Sequence, residues 1–249
     1  MDPASLAGVM PTCTVIGLGQ LGRLFGAGAL ASGHRTTPVR RGDSIEQALA
    51  DAAGPIVVTV GEAALPAVLK EIPRERHGDV VLVQNELLPD VWRAHLAAEP
   101  TVAVVWSNVK KGRPIEVGRA THVHGAHASF VSALHEAIDV PCVQLVDAAA
   151  LEQELVAKYA FILGVNALGL EEARTVGAWL DADPARVDAV LARVIALADA
   201  RTGRPHPAAA AIARAAMEPL RAMPAAGRTA RERVERARAL AIALGVPAL

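Results

Sequence analysis

The stretch TVIGLGQLG, from Thr14 to Gly22, restricts the fold of this chain more than any other segment. An apolar run closes on Gly17, Gly19 and Gly22, spaced G-x-G-x-x-G. The first glycine allows a tight turn, the second lets a pyrophosphate approach the backbone, and the third lets a helix pack closely on a strand. The spacing has this meaning only where a strand enters and a helix leaves. Residues 12–17 read as a buried strand, and 20–32 read as a helix stopped at Gly33. The first N–H groups of that helix then make an anion site, which marks Gly17, Leu18, Gly19, Gln20, Leu21 and Gly22 as cofactor-binding candidates.

Further apolar runs at 36–39, 55–60, 79–85 and 101–108 read as strands, with another at ATHVHG. Helical patterns lie between the early ones, so the strands imply a parallel sheet covered on both faces. Pro38 should cost its strand one ladder bond. An Asp43/Ser44 cap opens the helix SIEQALADA. Beyond Ala148 only helical patterns appear. The expected fold class is α/β, a Rossmann-type domain over 1–147 followed by an all-helical domain over 148–249. Of the 249 residues 52% are hydrophobic, enough for two cores.

The end of the second strand selects the cofactor. An acidic residue there would bind the ribose hydroxyls of NAD. This chain has Arg40 and Arg41, and a guanidinium suits the 2′-phosphate of NADP(H). Arg35 is expected on the surface, before the strand. The net charge of −1 offers no broad attraction for nucleic acid or an anionic membrane surface. No run approaches the ~20 apolar residues of a membrane span. Cys13 and Cys142 lack metal-ligand spacing and read as reduced thiols of a cytoplasmic protein. MDPASLAGVM lacks signal-peptide character and reads as a loose leader, with an alternative start at Met10.

VVLVQN ends in Gln84-Asn85, and KYAFILGVNALGL holds Lys158 and Asn166, followed by RTVGAWLDADPARVDAVLARVIALADARTG. With the glycines, this order resembles the ketopantoate reductase (2-dehydropantoate 2-reductase) family, of pantothenate biosynthesis. The resemblance implies a Rossmann domain, a helical domain and a site in the cleft between them. It implies NADPH-dependent reduction of a 2-keto acid or related ketone. Lys158 matches the catalytic lysine, Asn85 the asparagine near cofactor and substrate, and Asn166 the substrate-binding asparagine. The chemistry is consistent, because an ammonium stabilises the oxyanion formed by hydride delivery and then donates the proton. Ser107 and Asn108, in the loop WSNVKKGRP after a strand, are further substrate-binding candidates. The helical domain, rich in small residues, could form a homodimer.

The chain departs from the family pattern in four places. Glu86 follows Gln-Asn where glycine is usual, bringing a carboxylate near the cofactor. Val60-Gly61-Glu62 replaces a Val-Lys pair. The segment from Met217 onward has no serine, and Arg228-Thr229-Ala230-Arg231 stands where Arg-x-Thr-Glu would fall, with Glu232 out of register. The chain also ends at Leu249, earlier than usual. The late arginines are expected on a solvated helix face with Glu232 and Glu235. These departures leave a second function open, an NADP-binding sensor or partner-binding module without catalysis. A third, metal-dependent hydrolysis, rests only on His122, His124 and His127, since His122 and His124 would share a strand face.

Overall fold

The computed structural model describes residues 10–50, 52–109, 112, 114–247 and 249. The rest of the leader, and Lys110 and Lys111 of the WSNVKKGRP loop, lie outside the described residues. Two compact units emerge: 1–84 with 95–144, and 85–94 with 145–249.

The first unit is built on a seven-stranded sheet. Its strands are β1 (Thr12–Ile16), β2 (Arg35–Val39), β3 (Ile56–Val58), β4 (Val80–Leu82), β5 (Thr101–Val104), β8 (Thr121–His124) and β9 (Cys142–Gln144), in the order β2-β1-β3-β4-β5-β8-β9. Helices α1 (Gln20–Ala31), α2 (Ile45–Ala50) and α3 (Leu65–Glu71) connect the early strands. The first five strands run parallel. Pro38 sits in β2, at the sheet edge, where a missing N–H is tolerated. Ser44 accepts from Gln47 N (3.2 Å) at the start of α2, whereas Asp43 accepts from Arg40 N (2.7 Å) and closes the preceding turn.

Residues 101–108, expected as one strand, form two. The sheet strand ends at Val104, and β6 (Ser107–Asn108) pairs instead with β7 (Glu116–Val117) in a separate ribbon. Among the described residues no crossover helix lies between β5 and β8, and β8 returns antiparallel, a departure from the all-parallel expectation. Strands β3 and β4 are shorter than their apolar runs because Thr59, Val60, Val83 and Gln84 leave the ladder.

One sheet face places Cys13, Val15, Val57, Val81, Ala103 and Val123 in a single cluster with Phe25 and Ala29 of α1 and Val131 and Leu134 of α5 (Ala128–Glu136). Both cysteines are free thiols, and burial raises their pKa. Gly28 brings α1 against α5 so closely that a Cβ there would lie 2.5 Å from the Leu134 carbonyl oxygen.

The second unit surrounds α6 (Ala148–Glu171), a 24-residue helix buried almost continuously from Leu151 to Gly169. Apolar residues lie all around it, as in an enclosed helix, with Glu152, Glu154, Lys158 and Asn166 buried among them. Around it pack α8 (Pro184–Thr202), α9 (Ala209–Met217) and α10 (Ala230–Leu244), with α7 (Val176–Ala182) against α8. Caps define the boundaries. Asp147 accepts from Ala150 N (2.8 Å) before α6, Asp183 accepts from Arg186 N (2.9 Å) before α8, and Gly203 (φ 75°) ends α8. No described helix is long and apolar enough to cross a membrane.

Gly28→Val should lower stability by about 1–3 kcal/mol, because its side chain has to displace backbone rather than a flexible neighbour. Urea unfolding of the two proteins measures the difference.

Candidate functional site

The turn from β1 into α1 is held by packing and hydrogen bonds. Gly17 takes φ 91°, in the left-handed region, and its N–H donates to the Val39 carbonyl at 2.9 Å. Thr59 N donates to the Ile16 carbonyl at 2.9 Å, and its hydroxyl donates to the carbonyls of Ile16 (3.1 Å) and Gly17. A Cβ on Gly22 would collide with the Gly17 carbonyl and lie 2.6 Å from Thr59 Oγ1. Packing therefore requires glycine at positions 17 and 22.

Gly19 is different. Its φ is −68°, open to any residue, and a Cβ there would meet nothing within 4 Å. Neither the backbone nor the packing of the protein calls for glycine at this position. It is the N-cap of α1, no side chain caps the helix, and the first turn holds no acidic residue. Free N–H groups beside open space suit an anion that approaches the backbone closely.

The space is substantial. A cavity of about 610 Å³ is lined by Gly17, Leu18 and Gly19 together with Arg40 and Arg41, both exposed. Thr59 and Val60, the residues that leave β3, also line it. It lies at the carboxyl ends of β1 and β3, the adjacent parallel pair where the sheet order reverses. A second hollow of about 480 Å³ takes in Leu18, Gly19, Gln20 and Arg23. Leu21 lines neither and packs against the core, and Gly22 is buried. Gln84 Nε2 donates to the carbonyls of Val58 (2.8 Å) and Val60 (3.2 Å), fixing the end of β3.

Asn108 Nδ2 donates to Glu116 Oε2 at 2.8 Å across the small ribbon. Ser107 Oγ is buried without a hydrogen-bond partner among the described residues. His127 Nε2 lies 3.3 Å from Asp79. Among the described residues no group of three His, Cys, Asp or Glu is arranged to hold a metal.

The second unit holds the remaining candidates. Lys158 and Asn166 are each 8% exposed on α6. Lys158 Nζ lies 5.6 Å from the Phe161 ring centroid. Burial, and secondarily the Arg233 guanidinium, bring its pKa down from 10.5 to about 7. Asn85 is half-buried and begins the 85–94 segment, which contains α4 (Pro89–Arg93).

Two carboxylates tie that segment down. Asp90 accepts from Arg201 of α8 at 2.9 and 2.8 Å. Glu86 lies 2.9 Å from Arg233 Nε and 2.9 Å from Arg236 Nη2, both on α10. Glu86, expected near the cofactor, thus engages the arginines of the helical unit. Arg233, expected on a solvated face, is only 15% exposed at its side chain. It lies next to Val234, whose side chain packs inward, and a carboxylate meets it there. Only the unusual Glu86 hinted at this pair in the sequence. Buried His206, which lies 2.7 Å from Asp199 and 2.9 Å from Glu152, has no local signal in the sequence.

No protein-family model and no curated protein sequence matches the chain. Solved structures do. A 2-dehydropantoate 2-reductase from Methylococcus capsulatus superposes with a TM-score of 0.67 at 15% identity, over 94% of this chain and 90% of that one. A dimeric ketopantoate reductase from Staphylococcus aureus gives 0.62 at 16%, over 95% and 93%. D-mandelate dehydrogenase, in a ternary structure with NADH and anilino(oxo)acetate, gives 0.65 at 12%, over 96% and 94%.

Gly19→Ala should lower stability by no more than about 1 kcal/mol, the N-cap preference for glycine over alanine, since the position is otherwise open. Gly22→Ala should lose about 1–3 kcal/mol by overpacking. Parallel urea titrations separate the two. The close approach at Gly22, the open space at Gly19 and the end-to-end superpositions all describe one architecture, and the chain has the fold of the ketopantoate reductases.

Proposed function

We propose that the chain is an NADPH-dependent reductase of a 2-keto acid or related ketone, with Lys158 as general acid. The observation that carries this reading is a lysine almost wholly buried on α6, its pKa brought to about 7, at the position the family resemblance assigns to catalysis. A proton donor works best with a pKa near the working pH.

The residues around the glycine turn fit a dinucleotide. The α1 N-terminus offers N–H groups to the pyrophosphate beside Gly19, and Arg40 and Arg41 border the cavity where a 2′-phosphate would lie. When bound, NADPH supplies the hydride. The Lys158 ammonium stabilises the charge developing on the carbonyl oxygen and then protonates it. Asn85 and Asn166 orient the substrate. The D-mandelate dehydrogenase structure contains NADH, so the preference for NADPH rests on the two arginines. A homodimer is also proposed, in line with the dimeric neighbour.

The serine-free α10 segment supports a second reading, a dinucleotide sensor without turnover. Oxidation of NADPH by any 2-keto acid excludes it. Binding of NADPH without oxidation across a panel of such acids supports it against the reductase.

Lys158→Ala should lower kcat by about 10²–10⁴-fold with the Kd for NADPH within about twofold. Unchanged turnover refutes the role. In the wild type, kcat/KM for reduction should fall as pH rises through about 7, because the donor loses its proton, while oxidation of the hydroxy acid should gain. Replacing Arg40 and Arg41 together by Ala should weaken NADPH by about tenfold or more and leave NADH nearly unchanged. Fluorescence titration with both cofactors decides.

A further inference from the structure

The turn after β2 brings charge of both signs to the larger cavity. Arg40, Arg41 and Asp43 all line it, and all three are exposed. The turn is closed at both ends. Asp43 N donates to the Arg40 carbonyl at 3.1 Å, and Asp43 Oδ2 accepts from Arg40 N at 2.7 Å. Between them Gly42 takes φ 93°, in the left-handed region that such a turn uses at its third position. The backbone therefore fixes where the Asp43 carboxylate stands. Its second oxygen, Oδ1, has no hydrogen-bond partner among the described residues. Neither Arg40 nor Arg41 has an ion-pair partner there, so the carboxylate answers the backbone N–H and not a guanidinium.

These groups ask for different ligands. A guanidinium offers only donors, which suit the oxygens of a 2′-phosphate. A carboxylate offers only acceptors, which suit the two hydroxyls of an unphosphorylated ribose and repel a phosphate. Asp43 also lies about 20 residues beyond Gly22, the interval at which an acidic residue that takes a ribose diol falls. One cavity thus carries donors for the phosphate and a fixed acceptor for the diol.

We propose that Asp43 is a specificity-determining residue that receives the ribose diol of NADH, so that the site takes NADH as well as NADPH. Arg40 and Arg41 favour the phosphorylated cofactor, and Asp43 limits how far that preference extends. The inference rests on the dinucleotide reading of the cavity. It does not depend on which keto acid is reduced or on the role of Lys158.

The full chain is titrated with NADPH and with NADH by fluorescence at one ionic strength, since surface charges are screened by salt. The wild type should bind both. Asp43→Asn keeps a carbonyl oxygen for the Arg40 N–H and places an amide NH2 where Oδ1 stood, so the turn survives without its acceptor or its charge. It should weaken NADH by about fivefold or more and bind NADPH at least as tightly as before. Asp43→Ala, which also removes the bond that closes the turn, should weaken NADH at least as much. Glu71→Gln, at the other carboxylate lining the cavity, should leave NADH within about twofold. Circular dichroism checks that each variant is folded.

The alternatives give other patterns. If Asp43 only closes the turn, Asp43→Asn leaves both constants within about twofold and Asp43→Ala alone moves them. If it acts only by repulsion, Asp43→Asn tightens NADPH and leaves NADH unchanged. Either pattern overturns the inference, as does a loss of NADH on Glu71→Gln alone, or a wild type that binds NADPH and not NADH. A wild type that binds neither cofactor overturns the dinucleotide reading, and this inference with it, a result distinct from the others.

Discussion

The structure of the first unit depends on one close fit, in which the Gly17 carbonyl sits under Gly22 and against the Thr59 hydroxyl. A methyl group at position 22 would force the strand and helix apart. Their contact sets the direction of α1, and that direction aims its N-terminal N–H groups over the end of the sheet. The same Thr59 lies where β3 leaves the ladder and opens the cavity wall. The packing of the turn and the shape of the cavity are thus one arrangement. Gly19 is the exception, because nothing in the protein occupies the space beside it.

The second unit solves a different problem. Helix α6 is enclosed by its neighbours, yet it carries an amine and an amide inward. Burial of Lys158 favours the neutral amine. Between pH about 7 and 10.5 the unfolded chain holds a proton that the folded chain has released, so the burden this group places on folding is full below about 7 and is relieved as pH rises across that window. Such a lysine is costly as structure alone. The ion pairs of Glu86 with α10 and of Asp90 with α8 hold the 85–94 segment to the helical unit, although β4, just before it, belongs to the sheet.

Much of this was legible from residues. Glycine spacing located the turn, the apolar runs located the parallel strands, and the change of texture near Ala148 announced the helices. Local pattern could not reveal where strands stop, because Val60 and Val83 continue apolar runs beyond the ends of β3 and β4, and Val60 lines the cavity. Helix α5 has no counterpart among the expected elements, although Ala128, Val131, Leu134 and His135 have helical spacing. The antiparallel β8 depends on the ribbon before it, which no periodicity announces. The Glu86–Arg233 pair joins residues 147 positions apart, and charge patterning along one helix could only suggest a solvated face.

The central claim is that a hydride from a dinucleotide and a proton governed by Lys158 reach the same carbonyl group. Turnover of 2-keto acids, 2-dehydropantoate among them, with NADPH deuterated at the reactive ring carbon tests it most directly. Deuterium at C2 of a 2-hydroxy acid product is the predicted result. Cofactor that stays reduced and fully deuterated with every acid, or product without the label, contradicts it.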